Sequence, residues 1–232
     1  MAKPDGKSSG GRNAAQTAVF GTAQSLAAWE ELQTIAEIEQ RQREVFPELS
    51  ADLSIMDVKT AQVTMQEYEK FAVDYPVAVK QLVKIEPFTY TRHPPLMTTV
   101  EIDGKSEITL ATQHFPKGHA AIDARLQELS REGRLIESSY REAFRHELFH
   151  VLHQHIYATH SKESDALNAL LQKHYNDAGT FGENAKKIGR QERPHAEFFS
   201  SIGTAQSRGM QHPAVKKVFA LLRQWKKDGK IC

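Results

Sequence analysis

Apolar positions in the first third of the chain recur at threes and fours. Val19, Phe20, Leu26, Trp29, Leu32, Ile35 and Ile38 keep that spacing from about Ala14 to Arg43, which predicts one amphipathic helix ended by Pro47. Val63, Met65, Tyr68 and Phe71 predict a second over roughly Val58 to Ala72, and "PVAVKQLVKI", from Pro76, a shorter third. The period then changes. Residues 97–113, "MTTVEIDGKSEITLATQ", alternate apolar and polar about Asp103-Gly104. That dipeptide favours the positive φ of a tight hairpin turn, so two antiparallel strands are expected.

Helical spacing returns after the loop "HFPKGH". It covers about Ala120 to Glu132, Ser138 to Tyr157 and Ser164 to Tyr175. A Gly-containing loop is expected around Asp177 to Gly189. Pro194 and Pro213 then open two more helices, since proline is pre-shaped for a first turn. The fold class is therefore α+β, helix-dominated, with a small antiparallel or mixed sheet directly before the Ser138–Tyr157 helix. Residues 1–13, rich in Gly, Ser and Lys, form a disordered lead-in, residues 14–57 an N-terminal helical extension, and residues 58–232 the main domain.

Composition narrows the function classes only a little. With 232 residues and 40% hydrophobic content, the chain suits one domain with extensions or two small ones. A net charge of +1 argues for neither nucleic acid nor an anionic membrane as partner. The basic run Lys216, Lys217, Arg223, Lys226 and Lys227 reads as the solvated face of the last helix. The one cysteine, Cys232, excludes an internal disulfide. No apolar window is long enough for a membrane span, and "MAKPDGKSSGGRN" has no apolar signal core. The expected location is cytoplasmic on synthesis, with the protein virion-associated or exported by a signal-independent route.

The chemistry concentrates in "YREAFRHELFHVLHQHIY", which holds His146-Glu147-x-x-His150. This composition yields about 0.04 such matches per random chain, so the motif needs context. On a helical wheel with His146 at 0°, His150 falls at about 40°, His153 at about 340° and Tyr157 at about 20°. Phe144, Leu148, Val151 and Leu152 occupy the opposite side, between about 140° and 240°. One face is apolar and the other is a histidine stripe, with Glu147 on its flank. Two imidazoles one turn apart can share one zinc, and the adjacent carboxylate can act as base toward a metal-bound water. His153 is either a partner of the metal ligands or plain cleft lining. His155 and His160 are read as surface residues, and Arg145 as one half of a structural ion pair.

A catalytic zinc takes a third protein ligand. Gly and His would be needed at positions 153 and 156 for the metzincin pattern, but the chain has His153 and Ile156. The ligand is then a downstream carboxylate, with Glu163, Glu183, Glu192 and Glu197 as candidates. Glu197 is preferred because it lies in "RPHAEFFSSIG", where Phe198 and Phe199 anchor a short helix in the core; Glu192 is the fallback.

"HELFH" followed 47 residues later by "AEFF" resembles the glutamate-type zincins, specifically the lethal-factor-like metallopeptidases and related domains of phage minor-capsid polypeptides. "ITLATQHFPKGH" is similar to the strand and loop preceding their active helix, and the resemblance covers roughly residues 70–225. It implies His146, His150 and Glu197 as zinc ligands, with Glu147 as general base. It also implies that the strand near Ile108 to Thr112 edges the cleft and pairs with an extended polypeptide substrate. Two positions depart from the pattern. Ser201 stands where the family often repeats a glutamate, and "KKIGRQERPH" lacks the tyrosine expected before the ligand segment. If that tyrosine steadies the oxyanion, the role is here unfilled or passes to Tyr157, Tyr175 or a histidine such as His195.

Three functional classes follow. The first is a zinc endopeptidase with one Zn2+ per chain. The second is a catalytically degenerate zincin-fold module with a structural or particle-associated role. The third is a metal-free helical binding protein. The third would bind a partner through its N-terminal helix (Phe20, Leu26, Trp29) or its basic C-terminal helix, and under the first the same N-terminal helices would be a substrate-recognition or docking extension.

Overall fold

The computed structural model describes residues 21–91, 95–175 and 194–231. Among these the architecture is a mixed α+β fold dominated by helices, with one four-stranded sheet. Helices α1 (Ala23–Glu30), α2 (Ile35–Val45) and α3 (Val58–Asp74) come first, with the two-residue strand β1 (Ser50–Ala51) between α2 and α3. Strands β2 (Leu82–Phe88), β3 (Met97–Ile102) and β4 (Lys105–Ala111) follow, then α4 (His119–Arg131), α5 (Tyr140–Thr159) and α6 (Ser161–Tyr175). Helices α7 (Pro194–Ser207) and α8 (Pro213–Lys227) close the fold. The loop expected at Asp177 to Gly189 and the lead-in at 1–13 lie outside the described residues.

Two elements differ from the periodicity reading. The helix expected over 14–43 is broken: α1 ends at Glu30, and Thr34 starts α2 as N-cap, with its side chain and that of Glu37 forming a reciprocal capping box. The T-x-x-E spacing that signals it was legible. The segment after Pro76 is not a helix but a short 3₁₀ turn, Ala78–Gln81, running into β2. Leu82 and Ile85 are both buried, three residues apart. A bulge explains this, because the step from Leu82 to Lys84 faces the single step from Ser106 to Glu107. The extra residue turns the period of two into a spacing of three, which imitates a helix.

The sheet order is β1-β2-β4-β3, with β1, β2 and β4 parallel and β3 antiparallel at one edge. The expected hairpin turn is present, with φ 51° at Asp103 and 74° at Gly104. The strand expected to edge the cleft is a correction. Ile108 to Ala111 lie on β4, which is bonded to β2 on one side and β3 on the other. Both its edges are taken, so no peptide can add to it; β3 is the edge.

α5 runs through the middle of the molecule, touching α3, α4, α6, α7, β3 and β4. Phe144, Leu148, Val151 and Leu152 are buried on its apolar side, as the wheel requires. One hydrophobic core links Trp29 and Ile38 at the N-terminal end to Trp225 and Ile231 at the C-terminal end. Trp29 is fully buried and donates its indole N–H to Glu69 at 2.6 Å. The apolar face expected to dock a partner is thus turned inward at Trp29, and Phe20 lies outside the described residues. On α8, Lys216, Lys217 and Arg223 are exposed while Val215, Val218 and Leu222 are buried. Among the described residues no helix is long and apolar enough to cross a membrane.

Candidate metal centre

α5 and α7 supply the site, and small residues bring them together. Ser200, Ser201 and Thr204 on α7 are buried, and a Cβ placed on Gly203 would lie 2.4 Å from the Phe149 ring of α5. Only glycine allows that approach. Ser201, where a second glutamate was the family expectation, belongs to this buried small-residue face. Near the other end of α7, Phe198 and Phe199 are fully buried and set the rotation of the helix, so that Glu197 faces α5.

Glu197 meets both histidines. Its Oε2 is 3.3 Å from His146 Nε2, its Oε1 is 3.4 Å from His150 Nε2, and the two Nε2 atoms are 3.1 Å apart. Donors held at about 2.0–2.1 Å around a tetrahedral zinc stand roughly 3.3 Å from one another. The observed separations match that edge length. His146, Glu147 and His150 also bring their donor atoms within 4.8 Å of one another, and this group could hold a metal ion.

Glu147 is occupied differently. Its Oε2 accepts from the Thr99 backbone N–H and from the Thr99 hydroxyl, both at 2.7 Å. Ala111 N–H donates to Leu96 C=O, which makes Thr98 and Val100 the residues bonded across to β4 and turns Thr99 to the open side. The edge strand therefore grips one oxygen of Glu147. No sequence signal marks Thr99, because the contact spans 48 residues.

These side chains open on a cavity of about 390 Å³. Three carboxylates line it, from Glu137, Glu147 and Glu197, with the imidazoles of His146, His150 and His153. Among the described lining residues there is no Lys or Arg. Among the described residues the cavity thus gathers negative charge without a lining Lys or Arg, a donor set that could hold a cation.

Protonation follows the surroundings. Burial pushes Glu147 up to about 7 and repulsion from Glu197 adds to it, against the opposing charge of His146 and the bonds from Thr99. Burial would also raise Glu197, but the hydrogen bond from His146 and the charges of both histidines prevail, leaving it at about 2. Burial alone would lower His146, yet Glu137 and Glu197 hold it well above the usual histidine value.

Two expected residues are not brought to the cluster. Tyr157 is 66% exposed, and at 1.5 Å per residue it lies about 10 Å beyond His150 along α5. His195 bonds Gln172 at 2.8 Å and meets Tyr175 edge to face. Its position two residues before Glu197 puts it on the other side of α7. Tyr175 packs on Phe198 and, like Tyr157 and His195, does not line the cavity. His155 is another correction, being buried at 3%. His153 does line the cleft, and Arg145 pairs with Glu67, as read from the sequence.

Comparison of the chain with protein-family models, curated proteins and solved structures finds no match.

Proposed function

We propose that the chain is a zinc-dependent peptidase in which His146, His150 and Glu197 hold the ion and Glu147 is the general base. The observation that carries the reading is the triangle of donor atoms, 3.1–3.4 Å on a side, at a cavity with three carboxylates and, among the described residues, no lining Lys or Arg. Glu163 pairs with Lys230 instead, and Glu183 and Glu192 lie outside the described residues. Zinc, when bound, polarises a peptide carbonyl and makes water acidic enough to attack at neutral pH.

The remaining work belongs to the chain itself. Thr99 holds Oε2 of Glu147, leaving Oε1 to take a proton from water and pass it to the leaving amine. An extended peptide would add to the edge strand β3 rather than to β4, at positions other than the Thr99 N–H that Glu147 already takes.

A second reading, the catalytically degenerate zincin module, is favoured by one observation: no tyrosine lines the cleft among the described residues. Zinc per chain separates these readings from a metal-free binding protein. Near one ion in the wild type and little in Glu197→Ala is expected. No zinc after reconstitution would sink both metal readings. With zinc present, hydrolysis of a peptide library that is lost in Glu147→Gln supports the peptidase. Intact peptides beside an active control protease would leave the degenerate module.

A further inference from the structure

We infer that Glu137 is a positioning residue that fixes which nitrogen of His146 faces the metal. The inference rests on the proposed role of His146 as a ligand. Glu137 lies in the connection between α4 and α5 and is 5% exposed. Its Oε1 stands 2.9 Å from His146 Nδ1. Both atoms are buried, and neither has a hydrogen-bond partner in place among the described residues, so this 2.9 Å ion-pair approach is the polar contact each one makes. His146 Nε2, on the far side of the ring, faces His150 and Glu197.

An imidazole that gives its Nδ1–H to a carboxylate keeps the Nε2 lone pair for a metal and cannot rotate without losing the bond. Glu137 therefore sets both the tautomer and the ring angle. The carboxylate also makes the opposite nitrogen more basic, which strengthens its bond to a cation.

The segment carrying Glu137 is itself braced. Ser138 donates its N–H and hydroxyl to Glu142 Oε2 on α5, at 2.7 and 3.1 Å. Arg208, just past the end of α7, donates to Glu142 Oε1 at 2.6 Å and to the Ser138 hydroxyl at 2.9 Å. Behind it, Tyr140 N–H bonds Asp123 of α4 at 2.7 Å. One cluster ties together the positioning carboxylate and the two helices that present His146 and Glu197.

The test uses the full chain as wild type, Glu137→Ala and Glu137→Gln. Zinc affinity is read by competition with a chromophoric chelator, and the His146 Nδ1-bound proton by nitrogen-edited NMR of metal-free protein. Expected are a loss in affinity of about 10–100-fold in Glu137→Ala and disappearance of the downfield Nδ1–H signal. Glu137→Gln should fall between, since an amide oxygen accepts the same bond without the charge. A purely structural residue would lower thermal stability and leave the signal in place. Unchanged affinity with the Nδ1–H signal retained in Glu137→Ala would overturn the inference. If the wild type binds no zinc, the metal reading fails separately. The NMR arm then decides the contact, by the signal's loss in Glu137→Ala or its persistence.

Discussion

α5 carries two buried charge clusters, and they are built on opposite plans. On its α3 side, Arg141 and Arg145 both pair with Glu67, which is 1% exposed and also bonds Lys70 at 2.9 Å. Burial would raise the Glu67 carboxyl, but Arg145, Lys70 and Arg141 hold it below its usual range. On the cleft side, Glu137, Glu147 and Glu197 share a cavity with imidazoles and, among the described residues, no lining Lys or Arg. There Glu147 rises to about 7. The first cluster is self-sufficient: its cations are covalently part of the protein, and it clamps α3 to α5. Among the described residues the second has no lining Lys or Arg, and its charges are balanced there by protons or by a ligand. A closed ion cluster serves the fold, and an open one is available for chemistry.

Substitutions that separate the two plans should differ in size and sign. The largest effect is expected for Glu67→Ala, which strands two guanidiniums. A loss of about 3 kcal/mol is the expectation in denaturant melts, the low end of the usual range because Arg141 is 39% exposed. Its lowered carboxyl adds stability that is present above pH 4.5 and lost as pH falls below it. A wild-type-like melt for this variant would mean that the cluster is not a clamp.

Glu147→Gln should act in the opposite direction in metal-free protein. Because the folded carboxyl is raised from 4.5 to about 7, the unfolded chain ionises first. Stability is therefore lost as pH climbs from 4.5 through 7, and the amide removes that loss. A gain of at most about 3 kcal/mol is expected at pH 8, with none at pH 4. Equal stability of wild type and variant at both pH values would show that the buried carboxyl carries no cost.

Gly203→Ala tests how the open cluster is assembled. Its methyl would meet the Phe149 ring at 2.4 Å, so α7 must shift from α5 at a cost of about 1–3 kcal/mol. Thermal melts measure that cost, and a neutral result would mean that the helices have slack there. Tyr157→Phe should do least, within about 0.5 kcal/mol, with zinc content unchanged. A loss of zinc in that variant would bring Tyr157 back into the site.

Much of the helical framework was legible in the chain. The period of the apolar residues placed α3, α4, α5 and α6 within a few residues of their ends, Pro213 marked the start of α8, and Asp103-Gly104 marked a tight hairpin. The separation of histidines from apolar residues on α5 was also readable, because a helical wheel is a local property. Composition and periodicity failed where neighbours decide. The bulge at β2 gave Leu82 and Ile85 a helical spacing, and only pairing with β4 reveals a strand. Which strand lies at the edge is likewise a fact of the whole sheet, invisible in the alternation of β3 or β4.

The site divides along the same line. The spacing His146-x-x-x-His150 and the core anchors Phe198 and Phe199 beside Glu197 were determined by the sequence itself, since both depend on residues within two turns of one helix. The grip of Thr99 on Glu147, the contact of Glu137 with His146, the exposure of Tyr157 and the turning away of His195 were decided by tertiary structure alone. Each depends on how separate elements pack, and no local pattern of residues carries that information.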